Sequence, residues 1–447
     1  MTHGANHTGG PAEHITPYDR LALDEATLVS LLASPARNEG LLDYFGAELH
    51  AELVNLARTT TRRKRAAPGR RVYVLPGIMG SQLGFSRGGK RPNDTLWLDP
   101  VDISFGRLTE LRLDGDSRVI ALGAMNYTYL KLTLSLRKAG FDTVLLDYDW
   151  RRDVASVGAA LAERIAADAR DDVAIVGHSL GGLVARAALT HAAGKQVSQL
   201  ITLGTPHSGS LAAIQALRGT YSVVRKLGML DLRHDAEYLA TGVFSSFPSL
   251  HELLPSAGEI SDFDLFDHRA WPAEGPGPNP ALLRDAVGVA GRLAPADARF
   301  HIVVGCNRAT ATRVALRDGD FEYQYTLEGD GTVPLALALL AGARHRYVDC
   351  GHSDLPLSNR VIGGTIDLLR TSNTRRFAAS PPARRAGRRW ISDTQLRHEL
   401  TGKVDWPHMT SRERRVFLDT LNEPPKRVRA GPRTKKRSPV KNRRKKR

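Results

Sequence analysis

The chain has 447 residues, 42% of them hydrophobic, with 63 Lys and Arg against 47 Asp and Glu for a formal charge of +16. That length exceeds what one small core supports, and the composition is that of a soluble globular protein, so a large domain with appendages is expected. With no charged-then-apolar leader, no apolar run of about 18 residues and only two cysteines, Cys306 and Cys350, a disulfide framework is excluded and a cytoplasmic protein, at most peripheral to a membrane, is expected.

Residues 21–58 carry leucines at helical spacing, with Asp24 and Asn38 as caps, and predict two helices in an N-terminal extension over 1–66. The basic stretch TRRKRAAPGRR then leads into VYVLPGIMGSQL, a buried strand stopped by Pro76-Gly77. TVLLDYDW, VAIVG, LITLGTP, FHIVVG and HRYVDC follow as further strands, separated by helical or irregular stretches. That alternation predicts an α/β protein with a mostly parallel central sheet, helices on both faces, and a main domain over 67–370. Residues 207–298 lack clear strands and are too long for an ordinary connection, which predicts an inserted cap or lid. Residues 371–447 hold 24 Lys and Arg against 6 Asp and Glu. The net positive charge therefore belongs to this segment, expected as a partly disordered tail, and describes nothing about the main domain.

The pentapeptide Gly177-His178-Ser179-Leu180-Gly181 is a weak signal alone, but four apolar residues enter it and Leu183, Val184, Ala187 and Ala188 leave at helical spacing. Strand, sharp turn and helix are the setting of a nucleophile elbow; the competing reading is a glycine-rich helix start with Ser179 as N-cap. A serine nucleophile needs a histidine base, and the base needs an acid to fix its tautomer. In the chain order Ser, Asp, His, the loop LEGDGTVPL offers Asp330 and the loop after the last strand offers His352. Asp330 could instead only close its own turn. His178, His207, His301 and His345 are rivals that do not occupy the loop after the last strand, while Asp349 lies within that strand and Asp354 sits only two residues from His352. Oxyanion donors are expected from the Leu180 amide and, after Pro76-Gly77, the Ile78 amide. For Trp97 and the trio Asp149-Trp150-Arg151, pocket lining or bracing of the site and simple core packing remain equal alternatives.

The ordered set VLPGIMGSQL, LWLDP, YDWR, GHSLGGLVAR, LGTPHSGS, EGDGTVP and GHSDLP, spread over about residues 71–370, resembles the lecithin:cholesterol acyltransferase family of α/β-hydrolases, which includes phospholipases A and phospholipid:diacylglycerol acyltransferases. The resemblance implies an α/β-hydrolase fold and an acyl-enzyme formed on Ser179 from a lipid ester, with Asp330 and His352 as partners and Ile78 and Leu180 as oxyanion donors. It implies no cofactor and no metal. No cysteine follows LPGIMGSQL, so a disulfide-closed membrane-binding loop is impossible there. A carboxylesterase or triacylglycerol lipase is the alternative within the same chemistry; a catalytically silent scaffold with a basic tail is the alternative outside it. The tail suits an anionic membrane surface, and nothing in the sequence resembles a nucleic-acid-binding fold. Oligomeric state is left open.

Overall fold

The computed structural model describes residues 15–423 apart from 37, 63–68, 90, 115–117, 169, 257, 259 and 382–386. Its strands are β1 Arg71–Leu75, β2 Ser81–Phe85, β3 Asp94–Trp97, β4 Ile120–Ala124, β5 Asp142–Leu145, β6 Val173–His178, β7 Val197–Leu203, β8 Phe300–Cys306, β9 Thr310–Arg317, β10 Asp320–Thr326, β11 Arg344–Asp349 and β12 Arg389–Ser392. Six of them form one sheet in the order β11-β8-β7-β6-β1-β5, parallel at every pairing. Both faces of the inner strands β1, β6, β7 and β8 are covered, which is why they read as largely apolar runs, while the edge strands β5 and β11 are only partly buried. Tyr73, Leu75, Val173 and Ile175 enter one core with the helices Val154–Asp168 and Leu180–Ala188. Their neighbours Val72, Val74, Ala174 and Val176 enter the other with the helices Asn126–Lys138 and Asn359–Thr371. The chain has the α/β-hydrolase fold.

Two smaller antiparallel sheets, β3-β2-β4 and β12-β10-β9, flank this layer. The stretch TVLLDYDW leaves the ladder after Leu145 because its later residues bind elsewhere. Tyr148 donates through its hydroxyl to the Pro76 carbonyl and through its amide to Ser81 Oγ, and Trp150 Nε1 donates to the Ser81 carbonyl.

The N-terminal extension holds Asp24 and Asn38 in the expected capping roles, accepting from the Thr27 and Leu41 amides. Its second helix is divided at Gly46, where φ is +74°, into Glu39–Phe45 and Ala47–Arg62. Leu28, Leu41, Phe45 and Leu53 bury against Leu130 and Leu134 of Asn126–Lys138.

Between β7 and β8 lie helices Leu211–Leu217, Ser222–Leu230, Ala236–Gly242, Pro248–Glu252, Pro280–Asp285 and Val289–Arg292. Their apolar residues, from Leu211 to Trp271, share the main core rather than a core of their own.

The segment beyond residue 370 differs from the expected tail. β12 pairs with β10, and Ile391, Leu396 and Trp406 are buried in the main core. Asp393, fully buried, accepts from Arg218 Nε at 2.7 Å, Tyr323 Oη at 2.9 Å and Thr220 Oγ1 at 3.0 Å. Arg415 donates to the carbonyls of Tyr44 and Phe45, tying the helix Ser411–Asp419 to the N-terminal extension. Charge summed over 77 residues hid a few well-spaced apolar side chains whose partners lie far away in sequence. The most basic part, 424–447, lies outside the described residues. Among the described residues no helix is long and apolar enough to cross a membrane.

Candidate active site

β6 ends at His178, and the chain turns sharply into the helix Leu180–Ala188 through Ser179, held at φ +52° and ψ −125°. That φ is costly for a residue with a side chain. The turn is held by its neighbours: the Ser179 amide donates to the Leu203 carbonyl at 2.9 Å, and Thr205 Oγ1 donates to the Ser179 carbonyl at 2.9 Å. The Ser179 side chain makes no capping bond to the helix it precedes. Its hydroxyl is directed instead at His352 Nε2, 2.9 Å away.

His352 Nδ1 lies 2.7 Å from Asp330 Oδ2. A carboxylate only accepts, so Nδ1 carries the proton and Nε2 is left bare to accept from the serine hydroxyl. The His352 backbone amide also donates to the Asp330 carbonyl at 2.9 Å. Asp330 satisfies both roles considered for it: Oδ2 holds the imidazole, while Oδ1 accepts from the Val333 amide at 2.7 Å and the Thr332 amide at 3.0 Å, closing the turn. Gly204, at φ +60°, lies beneath the pair; a Cβ there would sit 3.0 Å from Asp330 Oδ2 and 3.1 Å from His352 Nδ1. Ser179 and His352 follow the C-terminal ends of the parallel strands β6 and β11, and Asp330, which follows the antiparallel β10, comes in beside Gly305 near the end of β8, so the three meet where open α/β sheets form their binding crevice. Ser179 is only 6% exposed, so charge developing there is poorly screened by water and fixed donors act strongly.

Of the two amides expected as oxyanion donors, that of Leu180 follows Ser179 directly, and that of Ile78 comes one residue after a backbone that runs close to it. Leu180 opens a helix, so its N–H belongs to the first turn, whose donors lack intrahelical acceptors. On the other side the backbone of Gly77, just before Ile78, runs so close that a Cβ would stand 2.8 Å from Ser179 Cβ. Trp97 is a core residue that braces this turn: its Nε1 donates to the Met79 carbonyl at 2.9 Å, and its ring packs edge-on against Trp150. Arg151, fully buried, makes a two-pronged pair with Asp149 at 2.8 Å on each prong and donates to the carbonyls of Leu111 and Val119. The trio is structural.

The rivals are engaged elsewhere. Asp349 accepts from Arg308 at 2.7 Å and Asn307 at 2.9 Å. His207 is buried beside Thr202 and Arg186, and burial pushes its pKa down to about 3. His345 Nε2 accepts from the Leu340 amide. His301 is buried within β8. His178 contacts Tyr129 and the His352 backbone, a link the sequence did not reveal because Tyr129 lies 49 residues away on another element. Among the described residues no cluster of three or more His, Cys, Asp or Glu could hold a metal ion. Cys306 and Cys350 are buried, free, and on opposite faces of the sheet.

Comparison with protein families matches residues 160–239, the span containing the elbow, to a PGAP1-like alpha/beta domain. Comparison with curated proteins gives no match. Among solved structures, the mature lipase BlEst2 of Bacillus licheniformis is 16% identical, with 69% of this chain and 94% of that one covered and a TM-score of 0.35. The Tle4–Tli4 complex gives 12% identity, 69% and 100% coverage and a TM-score of 0.40. The lin2722 product of Listeria innocua gives 12%, 70% and 98%, and 0.29. Likenesses this distant carry no argument about activity, which has to come from the site.

Proposed function

We propose that this chain is a serine-dependent acyl-transferring enzyme acting on lipid esters. Ser179 attacks the ester carbonyl, His352 takes its proton and later returns it to the leaving alcohol, and Asp330 holds the imidazole in the correct tautomer and stabilises the imidazolium. The Ile78 and Leu180 amides receive the oxyanion, each such donor being worth ~3 kcal/mol in the transition state. The observation that carries the reading is the unbroken line from Ser179 Oγ through His352 to Asp330, with bonds of 2.9 and 2.7 Å, on a strained elbow. A scaffold with no chemistry has no need of a strained serine with an uncapped hydroxyl.

The ordered motifs support a lecithin:cholesterol acyltransferase-like enzyme, acylating an alcohol or, as a phospholipase A, water; a plain lipase or carboxylesterase is the nearest alternative. We also place the enzyme in the cytoplasm against an anionic membrane. Asn422 donates to Ser353 Oγ at 2.9 Å, beside His352, and residues 424–447 carry 13 Lys and Arg without one acidic residue. The last described residues thus lie beside His352, and each Lys or Arg near an anionic surface is worth ~1 kcal/mol. Incubating the protein with acyl-labelled phospholipid, with and without a sterol or diacylglycerol, tests the reading. Labelled fatty acid alone supports a phospholipase and a labelled acyl acceptor supports a transferase. Turnover surviving in Ser179→Ala rejects the mechanism.

A further inference from the structure

Beneath the triad three groups make a continuous chain of hydrogen bonds. The Gly77 amide donates to Tyr129 Oη at 2.8 Å, Tyr129 Oη lies 2.8 Å from His178 Nδ1, and His178 Nε2 lies 3.0 Å from the His352 carbonyl. Directions follow from chemistry. A carbonyl only accepts, so His178 Nε2 carries the proton; in a neutral ring Nδ1 is then bare and accepts from the Tyr129 hydroxyl, whose own lone pair takes the Gly77 amide. Every bond runs the same way, from Gly77 to His352. The ring has to be neutral for this order, and it is: Tyr129 and His178 are both buried, and burial, then the neighbouring His352, pushes His178 down to about 3.

Each end of the chain is fastened to the proposed chemistry. Gly77 adjoins Ser179 and precedes Ile78. The His352 carbonyl is the backbone of the proposed base; the Leu355 amide also reaches it, at a longer 3.3 Å. The two imidazole rings are 4.9 Å apart, so a charged His178 would oppose protonation of His352.

We infer that Tyr129 and His178 are positioning residues that keep the oxyanion turn and the His352 base in register around Ser179. The inference rests on the serine mechanism proposed above. A displacement of about 1 Å at a reacting group costs on the order of 10²-fold, so losing the chain lowers kcat by about 10- to 100-fold and leaves KM within about threefold.

The test compares Tyr129→Phe, His178→Leu, His178→Gln and the double variant Tyr129→Phe/His178→Leu, each measured with a soluble ester and normalised to the folded fraction. Tyr129→Phe and His178→Leu are expected to lose kcat at nearly unchanged KM. Gln places an amide N–H within reach of the same carbonyl, so His178→Gln is expected to recover at least fivefold over His178→Leu. The double variant should be no slower than the slower single, because both break one chain. Values of kcat within twofold of wild type for both singles overturn the inference. Equal values for Gln and Leu, or losses that multiply in the double, overturn it too. If Tyr129→Phe does not fold, the Gln-to-Leu comparison decides alone. Ser179→Ala separates the two ideas: if it remains active the serine mechanism fails, whereas if it is dead and the positioning variants are normal only this inference fails.

Discussion

Asp330 and Asp393 are two buried carboxylates, at 3% and 0% exposure, each with three hydrogen-bond donors. They differ in the partner. Asp393 faces Arg218, itself 1% exposed, whose charge is permanent and whose guanidinium also holds the carbonyls of Glu274 and Pro276. Asp330 faces an imidazole that can gain and lose a proton and whose far nitrogen meets a hydroxyl. Burial and satisfied bonds therefore do not mark a site in this molecule. What the proposed mechanism asks for is a titratable partner aimed at a hydroxyl.

The largest effect that tests this contrast is on turnover. Asp330→Asn keeps the shape but favours the wrong histidine tautomer, so ester turnover should fall on the order of 10⁴-fold with the circular dichroism spectrum unchanged. Asp349→Asn and Asp354→Asn should stay within about tenfold. A normal Asp330→Asn beside a collapsed neighbour would move the acid to another residue.

Asp393→Ala should do the reverse. It removes the 2.7 Å pair and leaves the buried Arg218 only its longer, 4.0 Å pairing with Asp320, and breaking a buried pair costs about 3–5 kcal/mol, read as a lower midpoint in urea, while turnover per folded molecule persists. Truncation after residue 370 removes Asp393 together with Ile391, Leu396 and Trp406. Large buried apolar side chains are worth about 1.5–3 kcal/mol each, and whole domains are stable by only ~5–15 kcal/mol, so that truncated chain should not fold.

A smaller effect concerns pH. His207 is held near pKa 3 when folded and about 6.5 when unfolded. Between those values the unfolded chain binds the extra proton, so this residue's contribution is lost as pH falls below about 6.5, with a slope approaching ~1.4 kcal/mol per unit. Asp99 and Glu252, which burial pushes up to about 7, act in the opposite sense, because their protons stay on in the folded chain as pH rises through 4 to 7. The readout is therefore the difference between His207→Gln and wild type in urea titrations from pH 4 to 7, and the variant should show the shallower fall on the acid side. Smallest of all, truncation after residue 423 should leave soluble-ester turnover unchanged and weaken binding to anionic vesicles at low salt; lost turnover would mean the basic segment serves the site itself.

The same contrast explains what the sequence made legible. Val173–Val176 and the other inner strands, β1, β7 and β8, are buried on both faces and read directly as largely apolar runs, and Ser179, Asp330 and His352 each follow a strand end in a recognisable order. The positions of the three were legible because strand, turn and helix are local patterns. Asp393 was hidden because Arg218 lies 175 residues away, and Tyr129 because its partners Gly77 and His178 are 52 and 49 residues distant. Nothing local marks a residue whose role is set entirely by tertiary partners. The division of the N-terminal helix at Gly46 was readable in principle, since glycine commonly ends a helix.

Whether Ser179 is an activated nucleophile is decided by a fluorophosphonate probe followed by peptide mapping of the adduct. One phosphonyl group is expected on the peptide carrying Ser179 in the folded wild type, and no labelling of folded Ser179→Ala. Adduct on a different residue, or no labelling of the folded wild type, would contradict it.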